Sequence, residues 1–431
     1  MRQVLPALAA LCLAAPLAAQ DSSRSPEAVA DAALDAAPVW DGHNDVPWAL
    51  RGRYGNVIAE FDFDDTHAHG GEGAPLETAM HTDLPRLRQG RVGAQFWSVY
   101  VPSMAEPEAV QATLEQIDVA HRLIARYPDE LQLALNADDV ERAMAAGKIA
   151  SLIGMEGGHS IGSSLAVIRQ MYALGARYLT LTHSANTPWA DSATDDPEHD
   201  GLTDLGRDVV REMQRIGMLV DLSHTSEATM LDALDVAQES GGGAPLIFSH
   251  SGARAVNGHA RNVPDSVLAR LKDNGGIVMV VALPGFLSEK VRQHGAARAG
   301  ERARLEALWL GQPDQVEAGL AAWDAANPEV LATVSDMADH VDHIREVAGI
   351  DHIGLGADYD GMDSGPVGME DVAGYPALFV ELARRGYSQA DLEKIASRNM
   401  MRVLRAAEVY AAAHASDLPI ETPIANQPVT D

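Results

Sequence analysis

Seven side chains in this sequence can bind a metal ion or move a proton, and each stands at the end of a short apolar run. His43 and Asp45 sit two residues apart just after Val39-Trp40. In extended backbone alternate side chains share a face, so one imidazole and one carboxylate there can meet the same ion. Glu156 closes Leu152-Ile153-Gly154-Met155, and His183 closes Leu179-Thr180-Leu181-Thr182. His224 follows Leu219-Val220-Asp221-Leu222-Ser223, and His250 closes Ile247-Phe248-Ser249. Asp358 closes Ile353-Gly354-Leu355-Gly356-Ala357. Any one of these alone is better explained as a cap or a surface polar group. Four histidines and three carboxylates repeating the same position are not.

Imidazole and carboxylate without thiolate suit zinc, and less often manganese, cobalt or iron. His43, Asp45, Glu156, His224 and His250 are too many ligands for one tetrahedral ion. A single carboxylate can bridge two ions, and such a pair lowers the pKa of a bound water and polarises a substrate oxygen. Glu156, between glycines that permit close approach, is the best bridge. Asp358 is then placed to carry a proton to the leaving group, and His183 to donate to a developing oxyanion. The set points to hydrolysis of an amide, lactam or ester, with phosphoesters left open. Arg254 and Arg261 follow His250, and each reads equally as a clamp for a substrate carboxylate or as a surface arginine. His67, His69 and His81 read as surface histidines, His159 as a loop residue behind the site, and Asp360 and Asp363 as turn residues. No Gly-x-Ser-x-Gly elbow is present. Gly241-Gly242-Gly243 has no following Lys-Ser/Thr and is not a phosphate loop.

These residues need a scaffold that brings strand ends together. Eight strand candidates, Val39–Asp41, Val92–Val101, Ala150–Glu156, Arg177–His183, Gly217–Leu222, Pro245–Ser249, Gly276–Leu283 and His352–Asp358, alternate with helix-length amphipathic segments. Alternation of this kind implies parallel strands with crossover helices. Eight of them imply an α/β fold, a (β/α)8 TIM-type barrel, whose catalytic groups gather at the C-terminal strand ends. Leu131–Leu135 is a possible extra strand. Residues 284–327 form a charged helical insertion between strands seven and eight.

The chain has 431 residues and a net charge of -30, which argues against nucleic-acid or anionic-membrane partners. Residues 1–20 read as an export signal: Arg2, then the Ala/Leu-rich run Val4–Leu17, then small residues. That run is too short to span a bilayer. The expected organisation is signal 1–20, barrel 21–416 and a polar tail 417–431, in a periplasmic or secreted protein. The only cysteine, Cys12, falls within the signal, so the mature chain is expected to hold no disulfide, thiol nucleophile or cysteine-bound zinc.

Taken together, Asp41-Gly42-His43-Asn44-Asp45-Val46-Pro47-Trp48, Gly154-Met155-Glu156-Gly157-Gly158-His159, Leu179-Thr180-Leu181-Thr182-His183-Ser184-Ala185-Asn186, Asp221-Leu222-Ser223-His224, Phe248-Ser249-His250-Ser251, Arg261-Asn262-Val263-Pro264 and Gly356-Ala357-Asp358-Tyr359-Asp360-Gly361 resemble the renal (membrane) dipeptidase family, peptidase M19, of the amidohydrolase superfamily. The resemblance implies a binuclear zinc dipeptidase on a (β/α)8 barrel. It implies that His43 and Asp45 bind one Zn2+, that His224 and His250 bind the other, and that Glu156 bridges them. His183 would stabilise the oxyanion, Arg261 rather than Arg254 would hold the substrate's C-terminal carboxylate, and Asp358 would shuttle the proton. Trp48 would line the mouth beside the substrate. Substrates would be dipeptides, some with a D-residue at the C-terminal position. Without cysteines any homodimer would lack disulfides. The insertion at 284–327 and the glycines at 241–243 are expected near the mouth, where they would bear on substrate preference. The rival readings are another amide or lactone hydrolase of the same superfamily, such as an N-acyl-amino-acid deacylase or a β-lactamase-like enzyme, and a metal- or peptide-binding protein without activity.

Overall fold

The computed structural model describes residues 24–66, 79–239 and 241–421. The expected signal 1–20, with Cys12, lies outside these residues, as do His67, His69 and the tail beyond 421.

Among the described residues nine parallel strands form one sheet: β1 Val39–Asn44, β2 Val92–Ser98, β3 Leu131–Leu133, β4 Ile149–Glu156, β5 Ala176–Thr180, β6 Leu219–Asp221, β7 Ile247–Ser251, β8 Ile277–Val280 and β9 Ile353–Leu355. Eight of them close on themselves. β1 pairs with β2 and with β9, and β2 pairs directly with β4 from Ala94↔Ala150 to Ser98↔Gly154. The short β3, foreseen as an extra strand, pairs only with the start of β4, while β5 takes the end of β4. The (β/α)8 barrel expected from the alternation is thus the fold, with β3 as an appendage.

The strands are buried on both faces, which is why they read as continuous apolar runs. Trp40, Phe96, Leu152, Tyr178 and Met279 are fully buried together within one apolar cluster. A second cluster packs strands against the surrounding helices, with Val209, Val210 and Met213 among its members. Local signals set the helix ends. The helix Asp204–Ile216 starts where Thr203 accepts a hydrogen bond from the Gly206 amide and stops at Gly217, whose φ of 82° is left-handed.

Between β8 and β9 the insertion forms three helices, Pro284–Leu287, Glu289–Leu308 and Pro313–Ala326. The second and third carry a small apolar cluster of their own, Leu305, Val316 and Leu320 with Trp309 against it. The glycine run is a correction to the sequence reading. Gly242 shares a cavity with Leu234, Arg270 and Asn274, and Asn274 accepts a hydrogen bond from the Leu246 amide at the entry to β7. The run therefore lies at the N-terminal end of the barrel, opposite the mouth. The alternation decides this, because a segment leading into a strand must sit at the strand's start. Among the described residues no helix is long and apolar enough to cross a membrane.

Glu212 ties several outer elements together. Its fully buried carboxylate accepts from Arg169 at 2.8 Å, from Arg215 at 2.6 and 2.8 Å and from the Ile420 amide at 3.2 Å. Burial opposes its ionisation, but the bonds from Arg215 and Arg169 outweigh that and hold its pKa below the usual value. A carboxyl with a depressed folded pKa contributes stability above its unfolded pKa, about 4.3, and loses it as pH falls through the folded value. Glu212→Gln should therefore cost about 2 kcal/mol at neutral pH. Urea unfolding should show the gap between variant and wild type narrowing below roughly pH 4.

Candidate metal centre

The barrel brings all seven side chains to one mouth. β1 delivers His43 on its fifth residue and Asp45 just beyond its end, and β4 ends on Glu156. His183, His224, His250 and Asp358 come from β5, β6, β7 and β9 or the residues after them. They border or underlie a cavity of about 260 Å³ lined by Asp45, Trp48, Tyr100, Glu156, His183, His224, Arg261, Leu283, Phe286, Asp358 and Gly361.

Glu156 stands at the centre. Its Oε2 lies 3.5 Å from His43 Nε2, which is 3.2 Å from Asp45 Oδ2. Its Oε1 lies 3.0 Å from His224 Nε2, 3.4 Å from His250 Nε2 and 3.7 Å from His183 Nε2. The two oxygens of one carboxylate thus face two separate donor groups. Asp358 Oδ1 is 4.0 Å from His43 Nε2. Among the described residues three sets of donors fall within single-ion reach: His43, Asp45 and Glu156; Glu156, His224 and His250; and His43, His250 and Asp358.

The electrostatics describe a place short of positive charge. Burial pushes His224 and His250 well below the ordinary histidine pKa, with Arg261 adding to it in both, so both are neutral. Their Nε2 atoms nevertheless approach to 3.0 Å. Burial would also lower His43, yet Tyr178, Glu156 and Asp45 around it hold it well above the usual value. Burial raises Asp358 well above a normal carboxyl, and repulsion from Asp45 and Glu156 adds to this against the pull of His43 and Arg261. Among the described residues neither His43 Nε2 nor Asp45 Oδ1, both buried, has a hydrogen-bond partner of good geometry. Converging lone pairs, crowded carboxylates and orphaned buried atoms are costly in a protein interior. A cation resolves all three, and the oxygen and imidazole donors suit a zinc-like divalent ion.

A hidden layer sets the ring orientations. Tyr178 reaches under the site from β5, and its hydroxyl lies 2.9 Å from His43 Nδ1. Gly154 makes this possible, because a Cβ there would stand 2.0 Å from the tyrosine ring. Buried Asp221 accepts from Thr180, from the Ser223 and Ser249 amides, and from Ser249 Oγ at 2.6 Å. Ser249 Oγ in turn lies 2.8 Å from His250 Nδ1. A hydroxyl that donates to Asp221 accepts from that imidazole, so His250 keeps its proton on Nδ1 and turns a free Nε2 toward Glu156. Gly361 closes the cradle: a Cβ there would lie 2.3 Å from Asp45 Oδ2 and 2.6 Å from Asp358 Oδ1. His224, Asp358 and Asp360 all hold left-handed backbone at φ 67°, 72° and 66°. Such strain in non-glycine residues clusters at functional sites.

The two arginines part company. Arg254 pairs with Glu227 and donates to the carbonyls of Ala260 and Asn262, which is a loop-holding role. Arg261 is 2% exposed and lines the cavity, and its Nε and Nη1 have no partner among the described residues. Burial lowers its pKa to about 10, so it remains a cation. Trp48 lines the cavity and meets Tyr100 edge-on, with ring centroids 5.1 Å apart. His159 turns away to the Val101 carbonyl at 2.8 Å. His81 is a second correction. It is half-buried rather than a surface residue: it packs against Tyr359 and pairs with Asp360, whose buried carboxylate accepts from the His81 amide at 2.8 Å. The sequence reading missed Tyr100, Tyr178, Leu283 and Phe286. Tyr100 could have been found, since it lies two residues past the end of β2. Burial lifts its pKa to about 12, with Glu156 and Asp45 adding to the rise, so it stays a hydroxyl donor.

The chain is similar to several known proteins. The family model described as "Membrane dipeptidase (Peptidase family M19)" matches residues 27–417. Dipeptidase tcpJ of Claviceps purpurea is 42% identical over 390 residues, 88% of this chain and 79% of that protein. Human dipeptidase 3 is 40% identical over 398 residues, 91% of this chain and 70% of that protein. The probable dipeptidase PvdM of Pseudomonas aeruginosa superposes with a TM-score of 0.72 at 22% identity, over 90% of this chain and 99% of that one. A metallo peptidase from Rhodobacter sphaeroides, solved with a phosphinate mimic of the dipeptide L-Ala-D-Ala, gives 0.68 at 24%, over 86% and 99%.

The hidden layer can be tested apart from turnover. Tyr178→Phe keeps the ring and removes only the hydroxyl beside His43. Loss of such an orienting partner typically weakens metal affinity about 10- to 100-fold. That loss is expected in chelator competition, with the circular dichroism spectrum unchanged. Ser249→Ala should act in the same direction through His250.

Proposed function

The chain belongs to the membrane dipeptidase family, peptidase family M19, and is a metallo-dipeptidase; from that premise we propose that it hydrolyses the amide bond of dipeptides with two zinc ions per chain. His43 and Asp45 would hold one ion, His224 and His250 the other, and Glu156 both. The observation that carries this reading is Glu156, with Oε2 3.5 Å from His43 Nε2 and Oε1 3.0 Å from His224 Nε2. When bound, such a pair supplies Lewis acidity, which acidifies a water and polarises a carbonyl oxygen.

The chain's own groups do the rest. Arg261 offers two unpartnered donors in a dry setting, and there a carboxylate at the C-terminus of a dipeptide gains most from a planar cation. That contact fixes how far the amide lies from Glu156. His183 stands 3.7 Å from Glu156 Oε1, and Ser184 Oγ lies 2.7 Å from its Nδ1. With the serine hydroxyl donating to Nδ1, Nε2 keeps a proton to give to the amide oxygen as it takes on charge. Asp358, across the cavity, would accept a proton from the attacking water and pass it to the departing nitrogen. The carbon–oxygen bond forms first, placing an electron pair on the amide oxygen; as that pair returns the carbon–nitrogen bond breaks onto the protonated nitrogen, and the products are two amino acids. Trp48 and Tyr100 would wall the space beside the N-terminal residue.

A D-residue at the C-terminal position belongs to this proposal, in line with the L-Ala-D-Ala mimic bound by the Rhodobacter sphaeroides relative. So does export to the periplasm or medium, which rests on the Ala/Leu-rich residues 1–20.

A panel of L,L and L,D dipeptides, run with measured metal content, tests the reading. Turnover should stop on chelation and return with zinc; a chelated, metal-free protein that keeps full activity would sink it. Arg261→Ala should raise KM roughly 10- to 100-fold, as expected for hydrogen bonds to a charged group, with a smaller effect on kcat. Asp358→Asn should lower kcat about 10²- to 10⁴-fold, the usual worth of a general acid–base group, while the metal content holds.

A further inference from the structure

Every barrel strand except one ends in a polar or ionisable group at the mouth. The exception is β8, whose extension supplies Leu283, and the insertion's first turn, Pro284–Leu287, then adds Phe286. This apolar corner is built around Arg261. The guanidinium lies 5.4 Å from the Phe286 ring centroid, and His259, which accepts a hydrogen bond from the Arg261 amide at 3.1 Å, packs against the same ring at 4.3 Å.

The corner is held rigidly. Three fully buried polar side chains spend their hydrogen bonds on it. Asn257 donates to the Gly285 carbonyl at 3.0 Å, and Asn262 to the Phe286 carbonyl at 2.8 Å. His340 accepts from the Ala253 amide on Nδ1 and so donates from Nε2 to the Leu287 carbonyl, at 2.8 and 2.9 Å. The root of the insertion and the loop carrying Arg261 therefore form one block. Nothing in the chemistry assigned to the site uses Leu283 or Phe286.

We infer that Leu283 and Phe286 form the wall that selects the side chain of the substrate's C-terminal residue, favouring apolar over acidic ones. The inference rests on the dipeptidase reading and on Arg261 as the carboxylate anchor. In an amino acid the side chain and the carboxylate share one carbon, so a carboxylate on Arg261 brings that side chain within a few ångströms of the guanidinium. With Arg261 engaged by the carboxylate, Leu283 and Phe286 gain from burying a hydrocarbon and offer no hydrogen bond to a second anion. A wall that meets the side chain equally in ground and transition state gives uniform binding, so the selection is read chiefly in KM.

The test uses the zinc-loaded full chain and two matched series. One varies the C-terminal residue (Ala-Gly, Ala-Leu, Ala-Phe, Ala-Asp) and the other the N-terminal residue (Gly-Ala, Leu-Ala). The wild type should prefer Ala-Leu to Ala-Asp by at least about tenfold, the scale on which an apolar pocket discriminates. Phe286→Ala should cut the ratio of kcat/KM for Ala-Leu over Ala-Gly about tenfold, mostly through KM, and shift the Leu-Ala over Gly-Ala ratio by less than about twofold. Leu283→Ala, a milder change, should move the first ratio in the same direction and guards against a folding defect in Phe286→Ala. Dipeptide turnover with the C-terminal ratio unchanged in both variants would overturn the wall while leaving the dipeptidase reading intact. A wild-type enzyme inert to every member of both series would sink that reading, and this inference with it.

Discussion

One carboxylate is in contact with both halves of the site. Glu156 is 4% exposed, and its two oxygens are divided between His43 on one side and His224 and His250 on the other. Burial resists its ionisation, but His43 and His183 with the His224 bond hold its pKa well below the usual value. A buried anion in such a place is tolerable only with compensating positive charge. His43, held above its usual pKa, supplies some on one side, and the neutral His224 and His250 supply none on the other. The centre is therefore built as an electrostatic deficit, and the identity of its neighbours follows from that deficit. The same logic explains why Arg261 stands near without reaching Glu156: a direct ion pair would fill the deficit with protein.

The fold's task is to hold that arrangement against its own strain. Parallel strands aim their ends at one mouth, and the backbone just past those ends is bent into left-handed turns at His224, Asp358 and Asp360. The turn after β9 is fastened to the end of β1. The Asp358 amide donates to the His43 carbonyl at 3.2 Å, and the Asp45 amide to the Tyr359 carbonyl at 2.9 Å. Beneath them Tyr178 and the Asp221–Ser249 pair occupy the rear nitrogens of His43 and His250. A ring whose rear nitrogen is occupied cannot flip without breaking that bond, so the front nitrogens are fixed before any ligand arrives.

Much of this was legible in the sequence, and the reason is geometric. A parallel barrel converts "last polar residue of an apolar run" into "residue at the mouth", so His43, Glu156, His183, His224, His250 and Asp358 could be collected from distant positions by one rule. That rule sees only residues whose type suggests chemistry. It passed over Tyr100, which obeys it, because a tyrosine near a strand end reads as packing. It could not find Tyr178 or Asp221, which lie a layer below, because their roles depend on which strand stands opposite. His81 was misjudged for a related reason. Its partner Asp360 is far away in sequence, and only closure of β1 against β9 brings the two together. The glycines at 241–243 were placed at the wrong end because composition was read before position: a flexible run leading into a strand belongs at the strand's start.

The apolar end of β8 deserves a physical explanation rather than being treated as a gap in the pattern. Seven strand ends supply enough charge and lone pairs for the chemistry, and an eighth polar group beside Arg261 would compete for its open donors. Leu283 and Phe286 cannot compete. They keep water from the guanidinium and leave its Nε and Nη1 for an incoming anion. Leu283 ends the extension of β8 and Phe286 opens the excursion, and neither belongs to a donor set at the centre. Asn257, Asn262 and His340 hold the excursion's backbone through carbonyl groups, not side chains. Those anchors survive replacement of Phe286 by another side chain. The barrel thus fixes the reaction through side chains it cannot exchange, and the insertion shapes the adjoining surface through side chains it can.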